Sequence, residues 1–334
     1  MRYTTLAAAA LIAAPAFADG PDIRAIVDDH ILPGYAALAQ ETSELAQAAA
    51  EECSPKSAGL ITAYHDAFDA WVRVSHLRFG PSEQDDRAFA LAFWPDPRGS
   101  IPKALSALIR DEDAAVLDGD AFGAVSIAAR GFYALEFLLF APEFAPKDAS
   151  PGDPDYRCHL IQAVATDVAV TSDAIYAGWI GGYGDLMATA NNETYRTPIE
   201  AARQLFTALS TGLEFTSQTR LGRALGTFER PRPNRAEARR SGRSLRHVVL
   251  SLEATRDLAA MIAPGNAATD EAFQRAIQRA QALDDPVFAG VADPQGRFRV
   301  EVLQHHIESI RTVLAEDVGP SLGVAAGFNA MDGD

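Results

Sequence analysis

The sequence predicts an all-α protein. Apolar residues recur with a helical period along most of its length, while period-two alternation of β-branched residues is hardly seen. Proline and glycine punctuate the pattern at a few places, notably Gly80-Pro81, residues 93–100 and residues 141–154. No short repeat period stands out. The length allows two compact halves or one large domain, and two helical halves of similar size, residues 19–150 and 151–334, are compatible with the pattern.

The first eighteen residues lie outside that fold. Arg2 supplies a positive n-region, Leu6 to Pro15 a short apolar stretch rich in alanine, and Ala16-Phe17-Ala18 a small-x-small cleavage pattern. The apolar stretch is too short to span a bilayer, and no cysteine follows the cleavage point. The expected product is a soluble periplasmic protein starting near Asp19, with no lipid anchor and no transmembrane segment.

In the first half, residues 22–51 read as an amphipathic helix that Pro33 should kink. Residues 57–79 form a second helix, stopped by Gly80-Pro81. A structured loop over residues 93–100 precedes a helix at 101–110, and residues 121–140 read as a buried helix. The segment 141–154 holds four of the nineteen prolines and connects the halves. Helices are then expected at 156–180, 198–227, 235–262, 270–283 and 299–317.

The net charge of -16 argues against a nucleic-acid partner and for a solubilised protein. Lysine occurs only at Lys56, Lys103 and Lys147, so nearly all positive charge is arginine, which suits forked contacts to carboxylates and other anions. An arginine-rich composition is equally explained by a GC-rich genome. Cys53 and Cys158 are the only cysteines, and an oxidising compartment permits a bridge between them. The alternative is two buried thiols. A bridge would close a loop of about a hundred residues and be worth ~2–5 kcal/mol.

The sharpest chemical signal is Gly131-Phe132-Tyr133-Ala134-Leu135-Glu136-Phe137-Leu138-Leu139-Phe140, where one carboxylate sits in a run that is otherwise apolar on every face. Glu136 leaves water on folding, which requires a cation, hydrogen bonds or a proton. Tyr133 lies one turn earlier on the same side.

Three other polar clusters occur in the chain. His65, Asp69 and His76 lie near one helix face, but the two histidines are about 16 Å apart along the axis and cannot share an ion. His76, near the helix end, is the better site candidate. Glu301, His305 and Glu308 share a stripe, but their Glu-x-x-x-His spacing has no matching second element, so a charge-paired face is expected. Between Arg230 and Arg246 lie seven arginines. Most should pair with surface acids, Arg230, Arg232 and Arg239 among them. Arg240, Ser241 and Ser244, around Gly242, are candidates to meet Glu136 or a ligand. The sequence contains no His-Glu-x-x-His, no Gly-x-Ser-x-Gly and no glycine-rich phosphate loop.

Taken in order, these segments resemble the imelysin-like family, also called peptidase family M75, which includes periplasmic iron-regulated proteins. The resemblance runs through Leu32-Pro33-Gly34-Tyr35, Trp71, His76-Leu77-Arg78-Phe79-Gly80-Pro81, Phe93-Trp94-Pro95-Asp96, the Glu136 segment and Tyr156-Arg157-Cys158. It continues through Arg232-Pro233-Asn234-Arg235-Ala236-Glu237, Arg240-Ser241-Gly242-Arg243-Ser244-Leu245 and the C-terminal Gly327-Phe328-Asn329-Ala330-Met331-Asp332-Gly333-Asp334. It implies two packed helical bundles with a site in the crevice between them. The family motif Gly-x-His-x-x-Glu, proposed to bind metal, maps onto Gly131, Tyr133 and Glu136, with tyrosine replacing histidine. Tyrosinate suits ferric iron and substitutes poorly for imidazole on zinc, which weakens a zinc-peptidase reading.

Three functions follow. The first is a non-enzymatic iron-handling protein holding an ion or small ligand with Glu136, Tyr133 and His76 as metal ligands and Arg78, Arg240, Ser241 and Ser244 around them. The second is a module with an ion-paired Glu136, which serves a periplasmic or membrane protein partner. The third is an M75-type metallopeptidase.

Overall fold

The helices begin where capping side chains meet the first free backbone N–H groups. In the computed structural model, which describes residues 20–144 and 154–324, helix α1 (residues 23–51) starts at Asp22, whose carboxylate accepts the Ala25 N–H at 3.0 Å. Its backbone passes through a π turn at Val27–Ile31 and continues as Leu32–Glu51. The irregularity expected at Pro33 is present as this π turn, which lies just ahead of the proline. The widened turn opens the hydrogen-bond ladder just ahead of the proline, so the ring is accommodated without ending the helix. The signal-peptide segment, residues 145–153 of the connection and the C-terminal motif from Gly327 lie outside the described residues.

Helix α2 (Ala58–Val74) is capped by Ser57, whose hydroxyl accepts the Leu60 N–H. It ends earlier than the expected 79, because residues 75–79 turn and the hydroxyls of Tyr35 and Ser82 both donate to the Leu77 carbonyl. Helix α3 (Ser100–Asp111) starts where Asp96 accepts the N–H groups of Ser100 and Ile101, each at 2.8 Å.

Helix α4 (Gly131–Phe140) is shorter than the helix expected over 121–140. A single turn at Gly119–Phe122 and a 3-10 turn at Ile127–Ala129 replace its first half. The restart is fixed by Gly131, which has φ +77°, and a Cβ there would lie 2.2 Å from the Ala90 carbonyl oxygen.

Helix α5 (Pro154–Gly178) is followed by Trp179–Tyr183, where Gly182 (φ +133°) leaves the helical conformation, and then by a short helix at Gly184–Thr189. Helix α6 (Pro198–Glu214) continues through a π turn at Phe215–Leu221 to Leu225. Then come α7 (Ser244–Ile262), α8 (Ala267–Gln281) and α9 (Pro294–Val313). The start of α7 lies later than the expected 235, and that of α9 earlier than 299. No strand forms among the described residues beyond an isolated bridge between Thr227 and Arg230.

Helix α1 packs on α2 and α5, and α5 also on α4, which makes one bundle. Helices α6, α7, α8 and α9 make the second, and α2 against α7 joins the two. Helix α5 begins just past residue 150, yet packs with the first bundle. The Cys53–Cys158 disulfide, with Cα atoms 5.2 Å apart, ties the end of α1 to the start of α5. No described helix is long and apolar enough to cross a membrane.

Candidate functional site

Glu136 is buried, at 2% exposure, as the apolar helix around it requires. Its Oε1 accepts two hydrogen bonds from Ser241, from the backbone N–H at 2.9 Å and from the hydroxyl at 2.8 Å. Burial pushes its carboxyl up, partly offset by the Ser241 bonds and the nearby Arg240 charge. Arg240 does not bridge to it. Its guanidinium lies over the Phe137 ring, 3.6 Å from the centroid. The expected countercharge is therefore mostly replaced by neutral hydrogen bonding.

Tyr133 points elsewhere. Its hydroxyl donates to Glu237 Oε1 at 2.5 Å, and burial, then the Glu237 charge, raises it well above the usual phenol range. It is a neutral donor in this setting, not a tyrosinate. Glu237 is the buried acid that carries a full ion pair: Arg220 Nε donates to its Oε2 at 2.7 Å, with both side chains almost completely buried. Arg220 also donates to Ser251 at 2.8 Å, Thr216 at 3.2 Å and Ser75 at 3.3 Å. His247 Nδ1 lies 3.3 Å from Glu237 Oε2. Burial opposes the charge on Glu237, but Arg220, His247 and Tyr133 together outweigh it and hold the carboxyl down at about 2.

Ser244, the first residue of α7, donates its hydroxyl to the Glu237 carbonyl and fixes the loop that carries this acid. Five elements therefore meet: α4 brings Tyr133, the end of α2 brings Ser75, the π turn of α6 brings Arg220, the loop before α7 brings Glu237, and α7 brings Ser251 and His247.

Beside this network lies a cavity of about 370 Å³ between the bundles. Trp71, Phe89, Trp94 and Phe215 give it aromatic walls, and Ser75, His76, Arg220 and Glu237 give it polar ones. His76 is buried and its Nε2 is 3.3 Å from that of His30. Burial, then His30 and Arg220, holds His76 well below its ordinary value; burial alone lowers His30 to about 4. The His76 Nδ1 has no hydrogen-bond partner among the described residues. Gly212 lets α6 come close here, since a Cβ would sit 2.6 Å from that of His76. Arg78 lines the same cavity but is exposed and pairs with Glu83 at 2.6 Å.

The structure thus separates the three expected metal ligands. Glu136 is engaged by Ser241, Tyr133 by Glu237 and His76 by His30. Among the described residues, no three histidine, cysteine or acidic side chains are grouped to hold an ion. The donor set does not fit a bare metal ion.

The other clusters resolve similarly. Asp69 pairs with Arg243 and, at 3.0 Å, with Arg246. Glu301 pairs with Arg297 at 2.7 Å and Glu308 accepts from Gln218, a paired face as expected. Among the described residues, Arg230, Arg232 and Arg239 make none of the expected carboxylate pairs; Arg230 and Arg232 are exposed.

Sequence reasoning missed Arg220, Glu237 and His247. Glu237 was visible only as a member of the arginine-rich stretch. Arg220 lies in a π turn, which breaks the face assignment a helical period gives.

The profile of the imelysin family, peptidase M75, matches residues 31–314. A relative named iron-regulated protein A, from Synechococcus elongatus, is 22% identical, covering 89% of this chain and 85% of its own. The crystal structure of an imelysin-like protein from Psychrobacter arcticum superposes with a TM-score of 0.74 at 18% identity, covering 92% of this chain and 96% of that one. A structure from Parabacteroides distasonis gives 0.68 at 14% identity, covering 86% and 93%. The chain belongs to the imelysin family.

Proposed function

We propose that this imelysin-family chain is a periplasmic, non-proteolytic binding protein in iron handling, and that it takes a small organic ligand, with an iron chelate favoured, rather than a bare ion. The observation that carries this reading is the cavity of about 370 Å³ against the Tyr133–Glu237–Arg220 network. Its size, aromatic walls and few fixed polar groups are those of small-molecule sites. A relative's name, iron-regulated protein A, supports the link to iron. The separated metal ligands favour a chelate over an ion. They also favour binding over zinc proteolysis, which needs three protein ligands on one metal.

The buried Glu237–Arg220 pair favours a second reading, an ion-paired core with no ligand. Native mass spectrometry of protein exported to a periplasm and purified without chelators or a histidine tag separates the two. The proposal expects a non-covalent organic mass on wild type, accompanied by iron, that disappears in Thr211→Phe, a substitution that fills the cavity. Iron bound without an organic mass and lost in Glu136→Ala would return the site to a bare ion. Wild type free of any adduct would favour the ion-paired core.

A further inference from the structure

We propose that a second cavity, which meets the first at Trp94 and Tyr133, is an anion site for a small molecule bearing carboxylate or phosphate oxygens. This cavity measures about 270 Å³, and three guanidiniums line it: Arg223 from the end of α6, and Arg235 and Arg240 from the loop before α7. Arginines elsewhere in the chain pair closely with acids, among them Arg130 with Asp167 at 2.7 Å and Arg256 with Asp270 at 2.7 Å. Arg223, Arg235 and Arg240 have no carboxylate within ion-pairing distance among the described residues, although acids share their wall.

Two of those acids are already engaged, and Glu143 attracts Arg240 without pairing with it. Asp96 spends both oxygens on the start of α3. Glu136 accepts twice from Ser241. Glu143 is exposed at the rim.

The guanidiniums are held rather than neutralised. Arg223 lies 5.7 Å from the Trp94 ring centroid, and its buried Nε has no acceptor. Burial and the adjacent Arg235 charge weaken its hold on its proton. Arg240 is stacked on Phe137 at 3.6 Å. An aromatic ring lies beside Arg223 and beside Arg240, an interaction that uses the ring face and not the N–H groups through which arginine binds forked acceptors. The Asn234 amide adds a further donor to the same wall. Two like charges side by side, with an N–H lacking an acceptor, are relieved by an anion between them.

Calorimetric titration of the mature full-length protein at low ionic strength tests this, with citrate and inorganic phosphate as separate probes. Saturable 1:1 binding of either supports the site, and whichever binds identifies its source as polycarboxylate or phosphate. Arg223→Gln combined with Arg235→Gln should weaken binding by at least about tenfold. Arg235→Gln alone, at an exposed position that does not endanger folding, should weaken it measurably. Arg230→Gln, an exposed arginine of the same stretch, should leave it unchanged. Thr211→Phe should leave it intact as well, so this site stands or falls apart from the larger cavity. Absence of binding for both probes at about 10 mM, or equal loss in Arg230→Gln, would overturn the proposal.

Discussion

Glu237 and Glu136 are both buried acids, yet their surroundings drive them in opposite directions. The folded Glu237 carboxyl lies at about 2, below its ordinary 4.5. Its contribution to stability is therefore complete above about 4.5 and is lost as the pH falls towards 2. Glu136 is raised, so its ionisation weakens the fold as pH rises. Urea melts should show Glu237→Gln to be less stable than wild type by about 3–5 kcal/mol at neutral pH, because Arg220 is left buried without its countercharge. The variant should also lose less stability on acidification below 4.5. An unchanged acid limb would remove Glu237 from this role. Of this pair, only Glu136 was legible in the sequence, because an acid among Phe, Leu and Ala announces its burial. Glu237 sits among arginines and alanines, where nothing local distinguishes a buried acid from a solvated one.

At the scale of elements, helical periodicity placed most of the helices and misjudged their ends. Each miss has a local cause. Gly131 restarted a helix that hydropathy alone ran together, and residues 235–243 turned before α7 began. A π turn adds a residue that no apolar period reports, and the one at Phe215–Leu221 turns Arg220 inward. Gly131 is a motif residue whose need is backbone conformation. Gly131→Ala should cost at least about 2 kcal/mol, from the positive φ and the clash with the Ala90 carbonyl. Gly181→Ala, which meets nothing within 4 Å, is the control and should change stability by under about 0.5 kcal/mol. Chemical denaturation of both variants decides whether the glycine acts through backbone shape.

Over the whole molecule, the all-helical class was readable from periodicity, and the two-bundle arrangement came from the family resemblance. The partners of the site were readable from neither. Tyr133 and Glu237 are 104 positions apart, and Ser75 and Arg220 are 145 apart. Such pairings are set by how α2, α4, α6 and α7 pack, and one sequence carries no record of them. The same packing leaves a cavity lined by aromatic rings and a satisfied ionic floor, while it holds Glu136, Tyr133 and His76 on separate partners.

The most direct measurement is a crystal structure of protein exported to a periplasm, with anomalous diffraction collected at the iron edge. An iron peak surrounded by organic density, between Trp94, His76 and Arg220, is the predicted result. An iron peak bonded to Glu136 and Tyr133, with the cavity free of ligand density, would contradict it.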